Sequence, residues 1–224
     1  LLLAAACIFS GCGADKKLYR EMESLQKQTA ALESGIITLT VQFEESGVPG
    51  EYAAELTFSQ TGDGTYAYCQ KQFDQNEQVV FCEYSDGKST KQWLVGRGWE
   101  EIGSAQFTKE TPHRYLQMIS SPYDRKMIQN IEKEEDESGT RYILTMNASR
   151  VSKACYPDGA FTVSEQTVTL SFDPEGKMIG YSENTILKQD GSNTENSYRV
   201  DLCCKEHNAV RTIEAVSYTH LRAH

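Results

Sequence analysis

The sequence contains few of the residues that enzymes use for proton transfer and metal binding. Histidine occurs only 4 times in 224 residues, and two of these, His220 and His224, lie at the very end. His113 and His207 belong to no His-x-x-x-His pattern, the spacing that places two zinc ligands on one helix face. The Gly-x-Ser-x-Gly elbow of hydrolases, phosphate-binding glycine loops and kinase motifs are also missing. We therefore expect no catalytic residue, no metal site, no cofactor and no enzymatic activity.

Clusters of basic residues are missing as well. The 22 lysines and arginines are scattered among 32 acidic residues, which gives a formal net charge of −10. A surface that follows nucleic-acid phosphates needs clustered Lys and Arg, so we expect no nucleic-acid partner. Acidic runs such as Glu134 to Asp136 have no spaced Ca²⁺-loop pattern and are typical of a solvated strand end. A net negative charge of this size helps to keep a protein soluble.

No apolar run is long enough to cross a membrane. The uncharged apolar stretch at residues 1–11 is about half the length of the roughly 20-residue run that a transmembrane helix requires. It does match the apolar part of a secretory signal peptide, which is about 7–15 residues long and precedes a small-residue cleavage site. The alternative is a short buried helix, which Gly11 and Gly13 would break.

The end of this stretch resembles the lipobox of bacterial lipoprotein precursors. Residues 9–12 are Phe-Ser-Gly-Cys, an apolar residue, two small residues and a cysteine, with Phe9 where leucine is usual. The resemblance implies that Cys12 is lipidated, that residues 1–11 are removed, and that the protein is anchored on the extracytoplasmic face of a cell membrane. Because the chain starts without Met or a basic segment, we expect residues 1–11 to be a truncated signal peptide. A disulfide is the alternative role of Cys12.

Hydrophobic periodicity predicts an α+β domain. Apolar residues spaced 4-3-4-3 from Leu18 to Leu32 indicate an amphipathic helix over residues 15–34 that ends before Gly35. Thr111 and Pro112 begin a predicted short helix that ends at Ser121. Residues 150–164 are predicted to be a loop. Alternating apolar residues and turn signals predict strands at 35–46, 51–60, 64–73, 77–85, 88–96, 98–102, 126–135, 140–149, 165–173, 177–189 and 195–204.

This order of elements is similar to the LolA/LolB/LppX-like lipoprotein carriers and lipid-binding lipoproteins. The local similarities are residues 84–95, with a glycine turn leading into a strand, and residues 171–181. The resemblance implies a strongly curved, unclosed antiparallel half-barrel of about 10–11 strands, with both helices on its concave face. It assigns residues 12–34 to the lipidated Cys and helix, 35–206 to the half-barrel and 207–224 to a disordered tail. It matches no ligand-binding residue.

Two functions follow from such a fold. Helices over a one-sided sheet leave an apolar cavity unless side chains fill it, so a monomeric, anchored protein that binds a lipid-like or apolar ligand is one expectation. A filled core with no ligand is the alternative, and it would make the domain an interaction or sensor module for an envelope protein.

The seven cysteines set a further expectation. If Cys7 leaves with the signal peptide and Cys12 carries lipid, five remain, and an odd number leaves at least one without an intrachain partner. A two-residue turn at 75–76 would place Cys69 opposite Cys82, within disulfide range. Two reduced cysteines are the alternative. Adjacent Cys203 and Cys204 face opposite sides of a strand, so at most one can meet Cys155.

The last nine residues, Val-Ser-Tyr-Thr-His-Leu-Arg-Ala-His (216–224), resemble a translated sequencing adapter that recurs on unrelated predicted proteins. That resemblance implies that this part of the tail is not native and that it takes no part in the fold.

Overall fold

The chain folds around a single antiparallel sheet. The computed structural model describes residues 15–29, 31–62, 64–103, 107–120, 123–191, 194–210 and 212–213, with only the backbone described at 103 and 107–110. The α-helices are α1 (Lys16–Thr29), α2 (Phe107–Ser120) and α3 (Ala148–Cys155), and a 3₁₀ turn covers Arg125–Met127. The strands are β1 (Ser34–Glu45), β2 (Val48–Gln60), β3 (Tyr66–Phe73), β4 (Val79–Asp86), β5 (Thr90–Leu94), β6 (Gly98–Gly103), β7 (Ile128–Asp136), β8 (Gly139–Met146), β9 (Phe161–Phe172), β10 (Met178–Gln189) and β11 (Glu195–Lys205).

The order of the strands divides the sheet into two meanders. It runs β6-β5-β4-β3-β2-β1-β11-β10-β9-β8-β7, and each neighbouring pair is antiparallel. Strands β1 and β11 join the meanders at the centre, from Ile36 opposite Lys205 to Glu44 opposite Ser197. Strands β6 and β7 are the two edges. The predicted α+β class and the curved, unclosed antiparallel sheet are confirmed.

One face of the sheet carries the core, and we call it the inner face. In β1, Ile37 and Leu39 are buried, whereas Ile36 and Thr38 next to them are only half-buried. This follows the period of two that a half-buried strand requires. All three helices contribute side chains to this core. Its largest fully buried side chains are Met22, Ile37, Leu56, Phe58, Tyr68, Ile119, Tyr142, Leu144, Leu170, Phe172 and Met178.

Helix α1 follows the predicted apolar stripe but is shorter than predicted. The Asp15 carboxylate accepts hydrogen bonds from the backbone N–H groups of Lys17 (2.7 Å) and Leu18 (3.0 Å), which caps the helix and lowers the pKa of Asp15. Met22 is fully buried. The helix ends at Thr29 instead of residue 34, because Ser34 and Gly35 already pair with β2.

Helix α2 begins earlier than predicted, at Phe107 instead of Thr111. Pro112 therefore lies inside the helix, where it has no N–H to donate to the carbonyl four residues before it. The predicted end at Ser121 lies outside the described residues, and the last described helical residue is Ser120.

The predicted loop over residues 150–164 is wrong, because α3 and the start of β9 occupy it. The Asn147 side chain accepts the backbone N–H of Arg150 at 3.1 Å and caps α3. Val151 then enters the core, with 5% of its surface exposed. Ser152 Oγ accepts the backbone N–H of Val163 at 2.8 Å, which fixes the helix to β9. Eight residues are too few to show a helical hydrophobic period.

The predicted register of the β3–β4 hairpin, with Cys69 directly opposite Cys82, is wrong. Cys69 lies opposite Tyr84, and Cys82 lies opposite Lys71. The turn is longer than two residues because the Asp74 carboxylate accepts the backbone N–H groups of residues 76 and 78, and a register shift follows at Gln72/Phe73. The two cysteines are diagonal neighbours on the outer face, and both are buried against Trp93.

Gly139 provides a test of the β7–β8 hairpin. Its φ is +137°, and a Cβ there would lie 2.0 Å from the carbonyl oxygen of Phe172. We expect Gly139→Ala to lower the free energy of unfolding by about 3 kcal/mol in urea titrations. Gly96→Ala is the control, because φ is +80° there and nothing lies within 4 Å of the Cβ that alanine would add, so only backbone strain of about 1 kcal/mol is expected. Equal losses of unfolding free energy in the two variants would contradict the close approach of Gly139 to the Phe172 carbonyl oxygen.

Oxidation provides a test of the outer cysteine pair. Both thiols are free and their Sγ atoms lie 3.6 Å apart, a contact that lowers the pKa of Cys69. We expect mild oxidant to give a linked peptide containing Cys69 and Cys82 in a Cys155→Ser, Cys203→Ser background, read by mass spectrometry without reduction. Recovery of both cysteines as alkylated thiols after oxidation would show that the diagonal arrangement resists bridging.

Candidate functional site

The residues singled out from the sequence do not form a site. Cys12 lies outside the described residues, and Cys69 and Cys82 lie together on the outer face. His113 is exposed and contacts Gln117 at 2.8 Å, whereas His207 contacts the carbonyl oxygen of Met178 at 2.7 Å. Within the described ranges, no group of three His, Cys, Asp or Glu side chains could hold a metal ion. None of the described helices is long and apolar enough to span a membrane.

A cavity of about 400 Å³ opens on the inner face, between α3 and strands β9 to β11. Its apolar walls come from Val151 on α3, Phe161 and Val163 on β9, and Leu187 on β10. Cys155, at the end of α3, is exposed and lines the cavity as well. The remaining lining residues are Tyr156, Gln166, Glu183, Thr185 and Tyr198.

The short helix α3 explains why this space exists. Val151 anchors its middle in the core, and the bond from Val163 to Ser152 fixes it over β9. Beyond Cys155 the chain leaves the helix, and the Tyr156 ring packs against Phe161 with ring centroids 5.4 Å apart. Because the helix stops there, it does not cover the adjoining parts of β10 and β11, and their inner-face residues line the cavity.

A hydrogen-bonded carboxylate forms the polar end of the cavity. Glu183 Oε1 accepts from Gln166 Nε2 (2.7 Å) and from Thr185 Oγ1 (2.9 Å). Glu183 Oε2 accepts from the hydroxyl of Tyr123 (3.0 Å) and from that of Tyr181. The carboxylate is thus held by four donors from three parts of the chain. We call these five residues the Glu183 cluster.

The tyrosines of this cluster are held in their neutral form. Burial raises the pKa of Tyr181 and of Tyr123, and the neighbouring Glu183 carboxylate raises both further. The two hydroxyls also contact each other at 2.7 Å. The Tyr123 carbonyl accepts from Tyr19 of α1 at 3.0 Å, so α1 helps to position the residue that closes the cluster. Both tyrosines act as hydrogen-bond donors at neutral pH.

Gln166 has one buried polar atom without a partner. The residue is 9% exposed, and its Nε2 is committed to Glu183. Its Oε1 is buried and has no hydrogen-bond partner within the described part of the chain. A buried amide oxygen without a donor is costly, and buried polar atoms are usually paired. Gln166 Oε1 is therefore an unpaired acceptor enclosed by the protein next to the Glu183 cluster.

A second hydrogen-bonded carboxylate lies under α2, in the other half of the sheet, and this one is buried. Glu83 is 6% exposed and accepts from Tyr68 (2.6 Å), Thr111 (2.7 Å) and Gln92 (2.9 Å). The chemistry matches that of Glu183, with a tyrosine, a threonine and a glutamine as donors. Thr111 belongs to α2, which covers this carboxylate. Of the two glutamates, it is Glu183, which is half-buried, that lines the cavity under α3.

A second, more open concavity of about 760 Å³ lies at the β1–β2 hairpin and shares Thr185 and Tyr198 with the first. Its rim includes Glu44, Glu51 and Arg199, so it is more polar than the α3 cavity. Ligand pockets are mostly apolar with a few polar groups that orient the ligand, and the α3 cavity fits that description better.

Sequence reasoning missed the Glu183 cluster, although β10 carries a signal for it. Tyr181, Glu183, Thr185 and Leu187 share one strand face, and Tyr181, Thr185 and Leu187 are buried. Glu183 alternates in phase with these buried residues, so its side chain lies among core positions, where a charged residue needs hydrogen-bond partners. The partners Tyr123 and Gln166 come from other elements, so no sequence spacing links them to Glu183.

Comparison with known proteins gives similar architectures. No protein-family model and no curated protein matches the chain. LprF from Mycobacterium bovis is 14% identical, covers 92% of this chain and 99% of its own, and has a TM-score of 0.49. The Mycobacterium tuberculosis lipoprotein LppX is 13% identical, with 89% and 100% covered and a TM-score of 0.49. A LolA-superfamily protein from Nitrosomonas europaea is 7% identical, with 88% and 94% covered and a TM-score of 0.33. These values assign no family and no function.

Proposed function

We propose that this protein is a non-enzymatic, membrane-anchored extracytoplasmic protein that binds an apolar or lipid-like molecule in the cavity under α3. The observation that carries the proposal is the cavity itself, about 400 Å³ in volume, with apolar walls and a single polar end. Small-molecule pockets typically measure about 300–1,000 Å³ and have this distribution of polar groups. We also propose that the inner face is the concave side of the sheet, since three helices cover it and the core lies there.

The proposed anchor would hold the domain close to the membrane. Cys12 precedes the first residue of α1, Lys16, by four residues, which span at most about 14 Å when fully extended. Two acyl chains on one cysteine give stable attachment where a single chain gives only reversible binding. The cavity would then lie within one domain diameter of the lipid surface, from which an apolar ligand would be taken.

A second candidate function is an interaction module without a ligand. Most of the inner face is filled by side chains, and under α2 the core includes the buried Tyr115, Leu116 and Ile119. The edge strand β6 and its turn present Trp99 and Val95, which are 37% and 62% exposed. Exposed apolar residues at a sheet edge are typical of partner contacts. Only the first function requires a molecule inside the cavity, so ligand binding separates the two.

Obstruction of the cavity should abolish binding of an apolar probe. Cys155 is exposed and lines the cavity, so Cys155→Trp places an indole at its mouth at little cost to the core. We expect this variant to bind N-phenyl-1-naphthylamine at least tenfold more weakly than the parent chain, because the ring takes the volume that the probe would occupy. The measurement is fluorescence titration of the chain that starts at Cys12→Ser, without acyl groups.

Lys153→Trp is the matched control for this experiment. Lys153 lies on the same helix and is exposed, but it does not line the cavity. The control should bind the probe like the parent chain, with an unchanged melting temperature in both variants. Equal weakening by the two tryptophans, or no probe binding by the parent chain, would favour the interaction module.

Replacement of Cys12 should release the protein from the membrane. We expect Cys12→Ala to move the protein from the detergent phase to the aqueous phase in phase partitioning of cells that make the precursor with a complete signal sequence. The physical reason is that the acyl chains supply the membrane affinity. Cys155→Ala is the control and should stay in the detergent phase, and intact mass should show a diacylglycerol adduct on that control alone.

A further inference from the structure

Three aromatic side chains line the cavity under α3 together with Glu183. They are Tyr156, Phe161 and Tyr198, and all three are half-buried, so part of each remains accessible. The rings of Tyr156 and Phe161 lie with their centroids 5.4 Å apart and their planes tilted by 56°. The face of an aromatic ring carries partial negative charge and attracts cations. The lining therefore contains the kind of side chain that surrounds a bound cation.

Two carboxylates accompany these rings. Glu183 lines the cavity and is half-buried, and the Glu45 carboxylate accepts a hydrogen bond from the Tyr198 hydroxyl at 2.6 Å. Burial raises the pKa of Tyr156, and the nearby Cys155 and Glu183 raise it further. The hydrogen bond to Glu45 raises the pKa of Tyr198 to about 12. Both tyrosines are therefore neutral at pH 7, and the negative charge beside the rings belongs to the carboxylates.

Among the described residues of the lining, no cation offsets the charge of Glu183. Four neutral groups donate to its two oxygens, and none of the lining residues in the described chain is Lys, Arg or His. The carboxylate is thus solvated by dipoles, but its charge is not cancelled. In an enclosure of low polarity such a charge attracts a cation more strongly than it does in water. A quaternary ammonium fits this arrangement, because it donates no hydrogen bond and needs no unoccupied lone pair of the carboxylate.

We infer that the cavity selects single-chain apolar molecules with a quaternary ammonium head group over the corresponding alcohols and carboxylates. The inference rests on the proposed function and names the class of ligand for the same cavity. The ligand chain lies along Val151, Val163 and Leu187, and the head group lies against Glu183 and the Tyr156 ring. Neutral donors such as the Tyr156 hydroxyl can bind a ligand oxygen, but only a cation is attracted by both the carboxylate and the ring faces.

Competition with the apolar probe tests this inference. The chain with Cys12→Ser is loaded with N-phenyl-1-naphthylamine and titrated with decyltrimethylammonium, 1-decanol and decanoate, each below its micellar concentration, at neutral pH and about 0.15 M ionic strength. We expect decyltrimethylammonium to displace the probe at a concentration at least tenfold lower than 1-decanol, and decanoate to be the weakest of the three. Glu183→Gln removes the charge and keeps the size of the side chain, so it should reduce the advantage of the cation to under threefold.

Glu175→Gln is the matched control for charge. Glu175 is exposed in the turn between β9 and β10, where it pairs with Lys177, and it does not line the cavity. The control changes the net charge of −10 by the same amount as Glu183→Gln, so it measures the attraction of the cation to the protein as a whole. Its preference for the cation should be that of the parent chain. Circular dichroism checks that both variants are folded.

Substitution of Tyr156 tests the contribution of the rings and leaves the carboxylate in place. Tyr156→Phe keeps the ring and should keep the preference for the cation. Tyr156→Leu keeps an apolar side chain without a ring, so it should lower that preference at least threefold while 1-decanol binds as before. Tyr66→Leu is the control, because Tyr66 pairs with Phe58 at a centroid distance of 5.9 Å but does not line the cavity. Its preference should match that of the parent chain.

Four outcomes would overturn the inference. Equal displacement by the cation and the alcohol would show that the dipoles around Glu183 remove its effect on the ligand. A preference for decanoate would show that the neutral donors of the lining outweigh the carboxylate. An equal fall of the preference in Glu175→Gln and Glu183→Gln would assign it to the overall charge of the protein. In these three cases the probe still binds, so the proposed function stands. If the parent chain binds neither the probe nor any of the three competitors, the proposed function fails and this inference fails with it.

Discussion

The pairing of β1 with β11 is the constraint on which the rest of the structure depends. Each of the other nine ladders joins strands that are consecutive in sequence, whereas this one joins residues more than 150 positions apart, such as Ile37 and Cys204. It turns two meanders, each with a one-sided apolar face, into one sheet with one continuous core. Because α1 directly precedes β1, the same pairing brings that helix to the second meander, where it contacts β7 and β10 and Tyr19 supports Tyr123. Closing the long loop between β1 and β11 costs conformational entropy, and the burial of apolar surface on both sides of this strand pair offsets that cost.

The strands could be predicted from the sequence because their signal is local. All eleven lie where alternation and turn residues place them, since an antiparallel meander needs only a period of two and a turn every ten to thirteen residues. The failures have equally local causes. Helix α3 is eight residues long, which is shorter than the window of about 11–18 residues over which a helical period can be recognised. The Cys69–Cys82 register depends on the Asp74 turn and a following irregularity, and each extra residue in a hairpin shifts all pairs beyond it.

The candidate site could not be predicted from spacing because tertiary structure assembles it. Glu183, Gln166 and Tyr123 come from β10, β9 and the segment after α2. The sequence does show that Glu183 is a charged residue at a position of its strand that alternates in phase with core residues. A carboxylate in such a place costs free energy unless donors surround it. An inner-face Glu in an otherwise apolar alternation is therefore a usable signal for a buried polar cluster, and Glu83 in β4 shows the same signal.

The comparison of the two carboxylates explains why Glu83 is covered and Glu183 borders a cavity. Both are held by tyrosine, threonine and glutamine donors. Over Glu83 lies α2, fourteen residues long, and its Thr111 provides one of the donors, so helix and carboxylate close on each other. The covering helix near Glu183 is α3, which is eight residues long. The groups that donate to Glu183 come from the sheet and from Tyr123 instead. The cluster is thus complete without a covering helix, and the space that a longer α3 would fill remains free for a ligand. By this reasoning the cavity is a consequence of the length of α3.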